Sequence, residues 1–182
     1  SLAIGAPSSS ATNTGPVEYT VTYTGADAVN LTSADITLTS TGTAAGSVYV
    51  TNGTTATPSV VVTGISGEGT LRIAIAAGTA SDLAGNLAPS AGPSATFAVD
   101  NTAPVVTVDA LTTSDSSPAL SGTVDDAAAE IRVTVDGQTN LFATNNGNGT
   151  WSLADNVLAI LPAGVYDVQV TAADAVFNLG YD

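Results

Sequence analysis

The 182-residue chain carries sixteen acidic residues against two arginines, with no lysine and no histidine, so its formal net charge is −14. A surface this acidic repels nucleic acids and anionic membranes and attracts cations. Because cysteine and histidine are both absent, the chain has no disulfides, no Cys/His zinc site and no His-dependent catalytic triad. No apolar run approaches the ~18 residues of a membrane span.

The first hundred residues alternate between apolar and polar side chains, which predicts β-strands. Residues 17–24 show the strictest alternation, which is typical of a half-buried strand. Further strands are predicted at 35–39, 47–51, 58–63, 71–76 and 95–99. The Val-rich 58–63 segment is expected to be buried on both faces. Asn52-Gly53 predicts a tight turn, and 78–93 a long irregular loop.

The residues after 104 repeat this scheme in shorter segments. Strands are predicted at 105–108, 119–124, 131–135, 141–143, 150–153 and 166–171, with turns at 136–137 and 146–149. Phe142, Trp151 and Tyr166 fall on inward strand positions, so we expect them in the core. One more strand is due before Asp182, and it is either very short or missing.

The two halves match each other at a spacing of roughly ninety residues, the size of one sandwich domain. In each half an Asp is followed four residues later by an Asn, at Asp82…Asn86 and Asp174…Asn178. The sequence predicts an all-β chain of two tandem immunoglobulin-like β-sandwich domains, at residues 1–100 and 101–182. Val99–Pro104 joins them as a short, stiff connection, because proline restricts its own φ and the residue before it.

Four segments carry a resemblance to a known family: GPVEYTVTYTGAD at 15–27, AGTASDLAGN at 77–86, VDNTAP at 99–104 and NNGNGTWSL at 145–153. They resemble the bacterial immunoglobulin-like repeats of giant RTX-type, biofilm-associated surface adhesins, which are exported by type I secretion. The resemblance covers nearly the whole chain. It implies secretion to the bacterial cell surface, neighbouring repeats of the same chain as partners, and Ca²⁺ that stiffens the joints between repeats.

This chain departs from the family pattern at one position, where Phe177 stands in place of the glycine that Gly85 supplies in the first copy. The substitution puts the backbone geometry of the second loop in question. The Gly-Gly-x-Gly-x-Asp nonapeptide of RTX calcium β-rolls is also absent. The chain is therefore expected to come from the extender region of such a protein.

Oxygen-bearing side chains near the connection predict a Ca²⁺ site. In an immunoglobulin-like sandwich, the B–C and F–G loops lie at the pole where the chain enters. Ca²⁺ takes carboxylate, amide and carbonyl oxygens as ligands. The predicted ligands are Asp100, Asn101, Asp125, Asp126, Asp174 and Asn178, with Glu68 from the first domain. Asp27, Asp82 and Asn86 are candidates for a second, incomplete site.

The same residues also allow a simpler interpretation as ordinary turn residues, because Asp and Asn bond their own backbone and tolerate unusual φ angles. Asp109 and Asp115 are interpreted as solvated loop acids. The alternative therefore remains that the connection binds no cation.

The function predicted from these features is structural: extender repeats that project a distal ligand-binding domain. The alternative is a glycan- or protein-binding module, with the 78–93 loop as its best place. Catalysis is not expected, because the chain offers no nucleophile–base pair without His, Cys or Lys. We expect a monomer with no nucleic-acid partner and no membrane insertion.

Overall fold

The structure is a computed structural model that describes residues 1–182. Apart from one 3₁₀ turn at Ser33–Asp35, every regular element is a β-strand, which confirms the all-β prediction. The chain divides into two compact units, Ser1–Asn101 and Thr102–Asp182. Each unit has its own cluster of buried hydrophobic residues.

The first unit contains ten strands. They are β1 (Leu2–Pro7), β2 (Ala11–Thr12), β3 (Val17–Tyr23), β4 (Ala28–Val29), β5 (Ile36–Gly42), β6 (Ala45–Thr51), β7 (Ser59–Ser66), β8 (Gly69–Ile75), β9 (Ala80–Ser81) and β10 (Phe97–Val99). Two four-stranded sheets have the orders β1-β3-β7-β6 and β2-β10-β8-β5, and β4 pairs with β9. Apart from the short N-terminal β2, this is the strand order of the constant-type immunoglobulin sandwich.

The core of the first unit comes from the inward positions of these strands. Strand β3 alternates strictly between buried and exposed residues, as its sequence predicts. Val60, Val61 and Val62 of β7 are all buried, so the Val-rich segment is covered on both faces. The Tyr19 ring lies 6.3 Å from that of Phe97, and its hydroxyl donates a hydrogen bond to the Ala95 carbonyl at 2.9 Å.

The second unit contains seven strands. They are β11 (Val106–Val108), β12 (Leu120–Val124), β13 (Glu130–Val135), β14 (Gln138–Asn145), β15 (Thr150–Leu153), β16 (Val168–Ala173) and β17 (Leu179–Tyr181). They form one sheet with the order β11-β12-β15-β14-β13-β16-β17. Strand β14 joins the two halves of this sheet, because residues 138–143 pair with β13 whereas Thr144 and Asn145 pair with β15.

Trp151 is the largest side chain in the core of the second unit and is fully buried. Its indole N–H donates a hydrogen bond to the Thr107 carbonyl on β11 at 2.8 Å. The two ends of the sheet are also tied together, because the Val108 amide of β11 donates to the side-chain carboxylate of Asp182, the residue after β17, at 2.6 Å. The sheet therefore curls around one core.

The structure corrects two predictions about aromatic residues. Phe142 is not a core residue but is 62% exposed. Its neighbours Leu141 and Ala143 take the inward positions, so Phe142 faces outward beside Arg132, whose guanidinium lies 4.3 Å from the ring centroid. Tyr166 precedes β16 instead of opening it, and it packs against the core only partly buried.

Candidate functional site

The two Asp-x-x-x-Asn loops have the same hydrogen-bond pattern. In the first unit, the Asp82 carboxylate accepts bonds from the Asn86 backbone N–H at 2.9 Å and from its side-chain amide at 2.8 Å. In the second, the Asp174 carboxylate accepts the equivalent bonds from Asn178 at 2.9 and 2.7 Å. In each loop the Asp N–H also donates back to the Asn carbonyl. Each loop is thus closed by its own first and last residues.

Phe177 leaves this geometry unchanged. Its φ is 68°, close to the 84° of Gly85, and both lie in the left-handed region that favours glycine. The Phe177 N–H donates to the Asp174 carbonyl at 3.2 Å, as the Gly85 N–H does to the Asp82 carbonyl at 3.0 Å. The backbone geometry that the substitution put in question is therefore retained, with a strained residue at its turn.

The hydrogen bonds lower the pKa of both aspartates. The Asn86 side chain is the main cause of the lowered pKa of the Asp82 carboxyl. Partial burial would raise the pKa of the Asp174 carboxyl, but donors from the Asn178 side chain and from the loop backbone outweigh it and lower that pKa. Donors that favour the charged form have this effect. Both carboxylates therefore stay ionised to a lower pH than an ordinary Asp does.

Two loops of the second unit bond to its first residues. The Val105 amide donates to the Asp125 carboxylate at 2.8 Å, and the Asn178 side-chain amide lies 3.5 Å from the Thr102 carbonyl oxygen. The Asp126 carboxylate accepts the Ala128 amide at 2.8 Å within its own turn. The structure thus places Asp125 and Asn178 beside the entering chain, whereas the Asp126 carboxylate bonds locally.

Two more predicted ligands meet at the end of the first unit. Glu68 lies in the turn between β7 and β8 and accepts the Asn101 amide at 2.6 Å. The Asn101 side chain donates to the Gly67 carbonyl at 2.7 Å. The Asp100 amide donates to the Thr12 carbonyl at 3.0 Å. These bonds hold the last residues of the unit against its own turn and against β2.

At the other end of the first unit, the Asp27 carboxylate accepts the Leu83 amide at 2.9 Å, which ties it to the loop that contains Asp82. The Asp27 amide also donates to the Ser81 carbonyl. Asp27 and Asp82 therefore lie in neighbouring loops, and each has a hydrogen-bonding role there.

Neither unit by itself brings together three carboxylates that could hold a metal ion. Ca²⁺ takes six to eight oxygens, and several of the predicted ligands already accept backbone amides. A carboxylate that accepts one amide still has lone pairs for a cation. Neither unit contains a complete carboxylate site, and ligation by the seven predicted residues stays a prediction.

Residues 90–180, half of the chain, match the family described as the bacterial Ig-like domain. The chain belongs to this family. No curated protein matches the sequence. Bacterial Ig-like domains are typically extracellular or surface modules with a structural rather than an enzymatic role. No helix of this chain has the length and apolar character needed to cross a bilayer.

The second unit of this bacterial Ig-like protein contains a cavity that was not predicted from its sequence. It has a volume of about 670 Å³ and lies between two connections, 109–119 and 154–167. Asp109 and Asp115, interpreted from sequence as solvated loop acids, both line it. The only sequence signal was the absence of alternation in these connections, together with the apolar run Val157–Leu161 where no strand is formed.

Proposed function

We propose that the chain is a pair of structural extender repeats from a bacterial cell-surface adhesin, which project a distal ligand-binding domain. The observation that carries this proposal is the repetition of one loop structure in two units that each have their own core. Asp82…Asn86 and Asp174…Asn178 close their loops with the same bonds although the intervening residues differ. A domain with its own core can be repeated along a chain, each copy joined to the next by a short linker.

The pairing of strands in the first unit also supports a role in carrying tension. Strand β2, near the start of the unit, lies parallel to β10, near its end. The Ala98 amide donates to the Ser10 carbonyl at 2.9 Å, and the Asp100 amide to that of Thr12 at 3.0 Å. When parallel neighbours are pulled in opposite directions, their hydrogen bonds are strained together rather than one after another. The unit therefore resists a pull on its two ends.

We further propose that Ca²⁺ stiffens the chain at residues 99–104. The support is that predicted ligands flank this connection: Glu68 and Asn101 are hydrogen-bonded to each other, and Asp125 and Asn178 lie beside residues 102–105. The acidic residues here have no lysine to compensate them. A cation would lower the repulsion among these carboxylates.

A thermal melt in saturating Ca²⁺ and in EDTA tests the Ca²⁺ proposal. A ligand of the native state stabilises it by about 2.7 kcal/mol at a hundredfold excess over Kd, so we expect Tm to rise by several degrees. Asp100→Ala and Asp126→Ala should reduce this rise, and Glu18→Ala, on the exposed face of β3, should not. Small-angle scattering of the same samples should show a Ca²⁺-dependent maximum dimension. Equal melting curves and equal scattering in both buffers would reject Ca²⁺ stiffening and leave a plain spacer.

A second candidate function, glycan or protein binding, is favoured by one observation. The strand register places Phe142, Arg132, Thr171 and Tyr181 in one row across four strands of the second unit. Phe142 and Tyr181 are 62% and 68% exposed. Exposed aromatic rings beside polar groups suit stacking on sugars. A glycan array separates the two functions. Plain extender repeats should bind no glycan. Glycan binding that Tyr181→Ala abolishes would favour the binding module.

A further inference from the structure

We propose that the cavity between connections 109–119 and 154–167 binds a small organic cation with a hydrocarbon body, such as an alkylammonium ion. We call it the AB–EF cavity, because β11, β12, β15 and β16, which the two connections join in pairs, correspond to strands A, B, E and F of an immunoglobulin sandwich. Its volume of about 670 Å³ falls within the range of small-molecule sites. It lies at the end of β12 that begins with Leu120, whereas Asp125 and Asp126 follow the opposite end. The proposal is therefore independent of Ca²⁺ binding at residues 99–104.

Hydrogen bonds between the two connections hold the walls of the AB–EF cavity together. The Leu161 amide donates to the Ser116 carbonyl at 2.8 Å, and the Asn156 amide donates to the Ser117 carbonyl at 2.9 Å. The Tyr166 hydroxyl donates to the Pro162 carbonyl at 2.7 Å, which closes the segment before β16. The cavity is thus bounded by bonded backbone rather than by two independent loops.

The lining of the cavity combines core residues with apolar residues at its surface. Leu120, Val135 and Leu158 are buried core residues that reach the cavity. Leu111 and Val165 also line it, yet they are 52% and 100% exposed. A ligand with a hydrocarbon body that covered them would remove apolar surface from water. This explains the hydrocarbon part of the proposed ligand.

The charged groups of the cavity all have one sign. Asp109, Asp115 and Asp167 line it, and no lysine or arginine does. The one arginine of this unit, Arg132, is paired with Glu130 at 2.8 Å. A cleft lined by one sign of charge concentrates ions of the opposite sign. A cationic ligand is therefore favoured over a neutral or an anionic one.

Hydrogen bonds orient two of these carboxylates without neutralising them. Asp109 accepts the Ser121 hydroxyl at 2.7 Å, and Asp115 accepts the Ser117 amide at 2.9 Å. The three acids do not form a group that could hold a metal ion. Tyr166 also lines the cavity, and aromatic side chains attract ammonium groups. An organic cation thus suits this lining better than a metal ion does.

The test is an amide-resolved NMR titration of the whole chain in EDTA with three probes of equal length: hexylammonium, hexanol and hexanoate. Hexylammonium should shift the amides of Leu111, Val165 and Tyr166 and bind about tenfold more tightly than hexanol, because only it gains the charge interaction. Hexanoate should bind most weakly. Equal binding of all three probes, or no shift in these amides with hexylammonium, would overturn the proposal.

Two matched double variants separate local from general charge effects. Asp109→Asn with Asp115→Asn removes two charges at the cavity, and Asp125→Asn with Asp126→Asn removes two at the opposite end of β12. Each Asn keeps an oxygen that accepts the bond its Asp accepts. The first double variant should weaken hexylammonium binding about tenfold and the second should leave it unchanged. Equal weakening by both would assign the effect to net charge and overturn the proposal.

Discussion

Phe177 and Gly85 show how a positive φ angle favours glycine over a residue with a side chain. The two residues occupy equivalent positions in two loops with the same bonds, and both have positive φ. A non-glycine residue in this region is disfavoured by roughly 1–2 kcal/mol, whereas glycine adopts it freely. The second loop therefore tolerates a strain that the first one avoids, since the Asp174–Asn178 bonds hold it closed.

Phe177→Gly should raise the free energy of unfolding of the second unit by about 0.5–1 kcal/mol. The relief of φ strain exceeds the extra flexibility of glycine in the unfolded chain, and the 79% exposed ring contributes little packing. Urea titration followed by Trp151 fluorescence measures the change.

The reciprocal variant, Gly85→Phe, should destabilise the first unit by about 1–2 kcal/mol. Nothing lies within 4 Å of a Cβ added at Gly85, so the cost comes from φ and not from a clash. The midpoint of urea unfolding by circular dichroism, to which both units contribute, measures this loss, and the Trp151 fluorescence midpoint of the second unit should not change. Destabilisation by Phe177→Gly would contradict the account of strain.

The lowered pKa of Asp174 leads to a pH dependence. Because the pKa of the folded state lies below the ordinary value of about 3.9, this carboxylate stabilises the fold above pH 4. That contribution is lost as the pH falls from about 4 through the folded pKa.

Asn178→Ala removes a donor, so the Asp174 pKa should rise and the acid sensitivity of the second unit should shrink. Carboxyl ¹³C titration measures the pKa directly, and Asn86→Ala serves as the control, since it should move Asp82 but not Asp174. An unchanged Asp174 pKa in Asn178→Ala would show that the side-chain bond does not lower it.

At the scale of the element, the curled sheet of the second unit depends on close contact between β11 and β12. Trp151, on β15, reaches across Gly122 of β12 to the Thr107 carbonyl on β11. A Cβ on Gly122 would lie 1.9 Å from the Thr107 carbonyl oxygen and 2.6 Å from the indole nitrogen. Only glycine permits both the strand pairing and the Trp151 hydrogen bond.

Gly122→Ala should therefore destabilise the second unit by about 2–3 kcal/mol, because the indole or β11 must shift. The fluorescence maximum of Trp151 should move to longer wavelength as the ring gains contact with water. Gly164→Ala is the matched control, because its Cβ would make only ordinary contacts with Tyr166. Equal midpoints for the two variants in urea would rule out the proposed role of Gly122.

On the scale of the whole molecule, the two units have separate cores. Fifteen buried hydrophobic residues form the first cluster and twelve form the second, with no residue in common. The single tryptophan belongs to the second cluster alone. Trp151 fluorescence therefore reports on one unit, whereas circular dichroism reports on both.

Leu71→Ala, a fully buried residue of the first unit, should destabilise that unit by about 3 kcal/mol. We expect an early transition in circular dichroism during urea unfolding and an unchanged midpoint in Trp151 fluorescence. Val133→Ala, in the second core, is the complementary variant and should lower the fluorescence midpoint. A shift of that midpoint by Leu71→Ala would show that the units unfold together.

Most strands were predictable from the sequence because alternation with a period of two reflects which face is buried. Thr150–Leu153 was predicted at the bounds that the structure shows, and the strand predicted at 17–24 is one residue longer than β3. The prediction that Phe142 lies in the core was wrong. The sequence of β14 has no strict alternation, so the face on which Phe142 lies depends on the register of β14 with β13. Such a register is set by partner strands far away in sequence.

Of the candidate site, the sequence supplied the oxygen-bearing residues and the loops that carry them. It did not show that the Asp27 and Asp125 carboxylates each accept a backbone amide from another segment, of Leu83 and Val105. Those hydrogen bonds form between segments that are distant in sequence, so they depend on the tertiary arrangement of the loops. The AB–EF cavity depends on tertiary structure in the same way, because its two walls are separated by about forty residues in the chain.

The sequence by itself determined the all-β class, the repetition of the Asp-x-x-x-Asn loop and the acidic surface, because composition and short-range pattern express these properties directly. Only the tertiary structure decided the register of β14, the commitment of loop carboxylates to backbone amides, and the acidic cavity. The physical reason is that these features arise from pairs of residues distant in sequence, whose distances are set only when the core of each unit packs.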